Sequence, residues 1–171
     1  ALADWRNVQK LANLGRAGAS SLARIYCKNG EYDHAAEILA RLLIIDPSDR
    51  LTRLQMHFAR RAAGRDDVAA LKQYIRTQVQ DSSAWSGKLL VFAAGDMTWR
   101  ELHAAARKGK SSNTSESRLC EAYFYKGLFE RVAGNARAAR KSFLGCVEQG
   151  VTLLPEHAWA LWELERIRPD K

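Results

Sequence analysis

The chain has 171 residues, 47% hydrophobic and 27% charged, which is ordinary globular usage and excludes a disordered or low-complexity protein. Its apolar runs, such as Leu42–Ile45, stop far short of the roughly 18 residues of a membrane-spanning helix, so no transmembrane segment is expected. The net charge of +8 attracts anionic partners, yet the basic residues are spread along the chain without a basic tail, which favours an acidic peptide over nucleic acid.

In chain order, Asp4 to Leu14 carries Trp5, Val8, Leu11, Ala12 and Leu14 at helical spacing and predicts a leading helix over 4–14, interrupted by Gly15 and Gly18. Ser20–Lys28 and Asp33–Ile45 then make a hairpin turned at Asn29-Gly30. Asp46-Pro47 stops it, because proline cannot continue a helix and disfavours helix in the residue before it. A second hairpin, 51–63 and 67–79, is capped by Ser48-Asp49 and turned at Gly64. A third, 84–94 and 98–107, turns at Gly95-Asp96, with Thr98 and Glu101 as a capping box. Gly109 to Ser117 has no apolar residue and reads as a mobile, dispensable loop. A fourth hairpin, 118–133 and 136–149, turns at Gly134-Asn135, and Pro155 opens a last amphipathic helix through Ile167. No segment reads as a strand. We expect a single domain over 1–171, with hairpins at about 17–46, 49–80, 83–108 and 116–150 and a capping helix at 155–167.

Gly30 and Gly64 stand 34 residues apart, as do Ala35 and Ala69. That is the period of a helix-turn-helix unit that cannot bury its apolar face alone and must stack on copies of itself. Leu22, Ala23, Tyr26, Gly30, Tyr32, Ala35, Leu39, Leu42 and Pro47 together resemble a tetratricopeptide repeat. Tyr123, Gly127, Gly134, Ala139, Phe143 and Cys146 resemble it again, while the two units between keep fewer motif positions. The resemblance implies an all-α fold: a right-handed superhelical stack of about four antiparallel hairpins with flanking helices. Ala23, Ala35, Gly127 and Ala139 are then the close helix crossings, and Tyr26, Leu39 and Phe143 fill the space between hairpins. Leu22 to Tyr74, with Tyr26, Gly30 and Tyr32, then Ile38-Leu39, Ile45-Asp46-Pro47, Gly64-Arg65, Ala70-Leu71 and Tyr74, is also similar to the helical domain of bacterial transcriptional activators. That likeness implies a regulatory role and a bacterial source.

Catalysis would need a constellation, and His34, His57, His103 and His157 stand isolated, without HExxH or a nucleophile elbow. Gly109-Lys110-Ser111-Ser112 lacks the leading glycine and the strand of a phosphate loop. We therefore expect no enzyme, no metal site and no cofactor. Cys27, Cys120 and Cys146 form no CxxC pair, and their odd number points to buried thiols in a reducing compartment. Antiparallel helices would bring Cys120 near Cys146, so an exported chain could bridge them; cytoplasmic placement is favoured, with export left open.

In tetratricopeptide proteins the first helix of each hairpin lines a concave face. Carried onto this chain, the resemblance implies a peptide groove of Arg24, Lys28, Phe58, Arg61, Trp85, Phe92, Phe124, Leu128 and Arg131. For Phe58, Trp85 and Phe124, packing between helices is the equal alternative. Chaperone-binding repeats use a Lys and an Asn on the first helix of the first unit, and this chain has Ser20 and Arg24 at the matching places, which argues against a carboxylate clamp. The expected function is an adaptor for an acidic or amphipathic segment of a partner protein. The alternatives are the regulatory domain of a bacterial transcription factor and an RNA-binding helical repeat.

Overall fold

The computed structural model describes residues 2–79, 81, 83–109 and 111–167, with side chains from Gly15 onward. Among these residues there is no strand. The helices are α1 (Leu2–Asn29), α2 (Tyr32–Ile45), α3 (Arg50–Ala62), α4 (Val68–Gln78), α5 (Trp85–Ala93), α6 (Trp99–Ala106), α7 (Ser112–Val132), α8 (Ala136–Val147) and α9 (Pro155–Arg166). Within α1 the backbone breaks at Gly15 (φ 63, ψ 176), so the leading helix and the first hairpin helix are separate rods; Gly18 remains helical.

The four hairpin turns share one closure. Gly30, Gly64, Gly95 and Gly134 take φ between 78 and 83, a left-handed conformation open to glycine at no steric cost. Each is bracketed by the same two bonds. Around Gly64, its own N–H donates to Arg61 O at 3.0 Å and the next N–H, of Arg65, donates to Arg60 O at 2.9 Å. The other three turns repeat this pattern, which uses the last carbonyls that a helix leaves unpaired. Two of the second helices start on side-chain caps: Thr98 and Glu101 form the capping box of α6, and Asn135 accepts from Ala138 N–H at 3.0 Å at the start of α8, whereas Glu31 and Asp67 make no such bond at the starts of α2 and α4. Asp49 caps α3, accepting from the Leu51 and Thr52 N–H groups.

Contacts cluster the chain into two compact units, unit 1 ending at Gln80 and unit 2 beginning at Asp81. In unit 1, α1 packs on α2, α2 on α3 and α3 on α4. Ala23, Ala35, Leu39, Leu54, Phe58 and Leu71 are essentially inaccessible to solvent. Ala35 is wholly buried, whereas Ala69, its counterpart one period later, is exposed, and Leu71 is the buried residue of α4. Arg16 ties the second rod of α1 to the α2–α3 connection through Asp46 (2.8 Å) and Asp49. In unit 2, α7 and α8 pack along their length and α9 covers both. Gly127 and Gly145 allow that approach: a Cβ on Gly127 would stand 2.7 Å from the Phe143 ring, and one on Gly145 would stand 2.8 Å from the Tyr123 ring.

The polar segment after α6 differs from the expectation of a mobile loop. Ser112 to Ser117 is the start of α7, capped by Ser111, whose hydroxyl accepts from Thr114 N–H at 3.2 Å. Serine, threonine and asparagine disfavour helix interiors because they compete for backbone groups, but in a first turn those same bonds are the helix start. Lys110 lies outside the described residues.

Candidate functional site

Unit 1 holds a cleft of about 390 Å³ bordered by the end of α2, by α3 and by α4. Leu43, Pro47, Met56 and Ala70 give it apolar lining; Arg53, Arg60, Gln73, Tyr74, Thr77 and Gln78 give it polar lining. Arg53, His57 and Arg60 fall on one face of α3 and converge on Asp67, the residue preceding α4. Arg53 donates to Asp67 Oδ2 at 2.8 Å, Arg60 donates to Oδ1 at 2.7 Å, and His57 Nδ1 stands 3.0 Å from Oδ2. Burial by itself would raise the Asp67 carboxyl; the bonds from His57, Arg60 and Arg53 outweigh it and hold the group well below the usual carboxylate range. Two guanidiniums against one carboxylate leave this wall of the cleft positive.

Tyr74 completes the site. Arg53 lies 5.7 Å from its ring centroid, and its buried hydroxyl has no hydrogen-bond partner among the described residues. Burial first, and the nearby Asp49 charge second, raise its phenol above the usual range, so it remains a donor at neutral pH. The cleft thus combines apolar contact, one unused hydroxyl and a positive wall.

The residues expected in the groove have separate placements. Phe58, Phe124 and Leu128 are each 1% exposed and belong to the core. Phe58 meets Tyr32 edge-on at 6.0 Å, and Phe124 packs against Tyr125, Phe143 and Trp159. An apolar residue at helical spacing reads alike whether it faces a sister helix or a ligand, and here the sister helix takes all three. Trp85 is half-buried, donating its indole N–H to Glu121 with the Arg118 guanidinium 5.7 Å from its ring centroid. Phe92, also half-buried, lies 6.2 Å from Trp99. Arg131 is ion-paired with Glu163, which is wholly buried and also accepts from Trp159 at 3.0 Å. Arg24 donates to Ser21 at 3.1 Å, Lys28 sits half-buried in the last turn of α1, and Arg61 is exposed at the end of α3.

Sequence reasoning missed Arg53, Arg60 and Met56 as site residues. The spacing of Arg53, His57 and Arg60 was readable as one helix face, but nothing local announces that a cap-position Asp67 turns sideways into it. A second polar centre lies in unit 2. Burial pushes the Glu121 carboxyl up to about 7, opposed by the Trp85 hydrogen bond, with Glu156 adding to the rise and Arg118 opposing it. No group of His, Cys, Asp and Glu suited to a metal occurs among the described residues, and no described helix is long and apolar enough to cross a membrane. No protein-family model matches the chain, and no curated protein matches it.

Proposed function

We propose that this protein is an adaptor that docks a peptide segment of a partner protein in the unit 1 cleft. The observation that carries the reading is the Tyr74 hydroxyl, unpartnered beside an apolar lining in a cleft of about 390 Å³. Such a volume falls within the range of roughly 300–1,000 Å³ typical of ligand sites, which combine apolar walls with a few placed polar groups. An aliphatic side chain of the partner fills the space between Leu43, Met56 and Ala70. A main-chain carbonyl beside it accepts from Tyr74, and an acidic flanking residue faces Arg60, whose side chain keeps part of its surface open while Arg53 is enclosed with Asp67. The chain's net charge of +8 draws such a segment in. Four hairpins with one turn geometry support a tetratricopeptide-like right-handed stack as the scaffold.

Peptides selected from a random display library against the whole protein provide the ligand for the test. Ala70→Trp, at an exposed position lining the cleft, should weaken a selected peptide at least tenfold, while Trp85→Ala and Phe92→Ala leave it bound. Unchanged affinity in Ala70→Trp, with loss in Trp85→Ala, would move the site to the aromatic groove implied by the repeat resemblance.

A further inference from the structure

Two of the three cysteines face each other inside unit 2. Cys120 on α7 and Cys146 on α8 are both wholly buried, with their sulfurs 2.8 Å apart. A free cysteine in a core packs as a small hydrophobe and has no need of a second thiol against it. At this separation no atom stands between the sulfurs, and they are within an ångström of the bonded distance of about 2.05 Å. The hairpin alignment that creates the pair is fixed on both sides by the close contacts of Gly127 with Phe143 and Gly145 with Tyr123.

We propose that Cys120 and Cys146 close into a disulfide stapling α7 to α8, and that the redox state of the pair is set while the hairpin folds. The oxidant is a low-molecular-weight disulfide. One cysteine loses its proton and attacks it, forming a mixed disulfide and expelling one small thiolate, which takes up a proton. The second cysteine, also deprotonated, attacks the protein sulfur of the mixed disulfide and expels the other small thiolate. The two protein thiols lose two electrons in total, and the small disulfide is reduced to two thiols. Exchange requires a thiolate and access. In the folded hairpin the hydrogen bond with Cys120, and then burial, hold the Cys146 thiol far above the ordinary thiol range, and neither sulfur meets solvent. The reaction therefore belongs to the open chain, and the same burial shields the finished bond from reductants. This staple lies in unit 2 and stands independently of the cleft in unit 1.

The test uses the full chain carrying Cys27→Ser, unfolded and then refolded in a mixture of reduced and oxidised glutathione. The expected product has no alkylatable thiol, lacks the mass of two hydrogen atoms and yields a peptide joining residues 120 and 146. It should melt about 5 to 15 °C above the same chain refolded with excess reductant. It should also keep the bond under dithiothreitol while native and lose it when denatured. Wild-type protein treated alike should retain one thiol, at Cys27, which covers the case in which the variant refolds poorly. Two alkylatable thiols after oxidative refolding, glutathione left on either cysteine, or a melting point no higher than that of the reduced chain would each overturn the proposal.

Discussion

Arg53, 3% exposed, donates to Asp67, 2% exposed, across 2.8 Å, so a full ion pair is enclosed between α3 and the start of α4. Removing the carboxylate charge leaves a guanidinium desolvated and unpaired, and Asp67→Asn should cost about 3 to 5 kcal/mol. Acid acts in the same direction. Because the Asp67 carboxyl is depressed in the fold, its contribution is complete above its ordinary pKa of 3.8 and drains away as pH falls towards the folded value. Urea midpoints measured down through pH 3 should fall faster for wild type than for Asp67→Asn; parallel curves would refute the coupling.

Glu121 has the opposite sign. Its carboxyl titrates at about 7 in the fold against 4.5 unfolded, so between those values the unfolded chain has released a proton that the folded chain still holds. Stability should therefore decline as pH rises from about 4.5 to 7 and level off above, a contribution of up to roughly 3 kcal/mol. Glu121→Gln keeps an acceptor for the Trp85 indole and carries no charge. Its melting temperature should exceed that of wild type at pH 8 and match it near pH 4.

Gly127 and Gly145 differ in what an added methyl would strike. The Phe143 ring opposite Gly127 is rigid and wholly buried, whereas Tyr123 opposite Gly145 is half-buried and has room to yield. Alanine gains up to about 1 kcal/mol in helix propensity at either site. Overpacking of roughly 1 to 3 kcal/mol should outweigh that gain at Gly127, while Gly145→Ala should lie close to neutral. Equal melting temperatures for the two variants would show that α7 and α8 can shift apart.

Tyr74→Phe separates stability from binding. Deleting a buried hydroxyl that has no partner should raise unfolding free energy by up to roughly 1 kcal/mol, and the same change should weaken a cleft-bound peptide several-fold. A variant that is both less stable and equally tight would show that the hydroxyl serves the fold.

Ser111→Ala tests the polar segment. If Ser111 caps α7, losing it should cost about 1 kcal/mol, and the bonds from 112 to 117 should resist protease in the native protein. Rapid cleavage there with no change in stability would restore the loop.

The turns were legible because a left-handed residue closing a helix is a demand that glycine meets most cheaply, and Gly30, Gly64, Gly95 and Gly134 all meet it. Helix identity followed from the 3.6-residue spacing of apolar positions. What that spacing leaves open is the direction of each face: Phe58, Phe124 and Leu128 satisfy a groove pattern and a core pattern equally. The Asp67 network was hidden for a related reason. Asp67 lies at the start of a different helix from Arg53, His57 and Arg60, and only the packing of α4 against α3 brings them together. Ala69 shows the reverse case, a repeat position kept in register by sequence and left exposed in the fold.

The four alike turns also bear on time. The principal helix pairs lie one or two places apart in the chain, and every turn closes within six residues. Contacts this local lose little loop entropy before they form, so topology of this kind folds quickly. Each hairpin is therefore able to assemble soon after its second helix leaves the ribosome. Translation order then becomes folding order, and the hairpin made most recently is the one whose apolar face is still waiting for its neighbour.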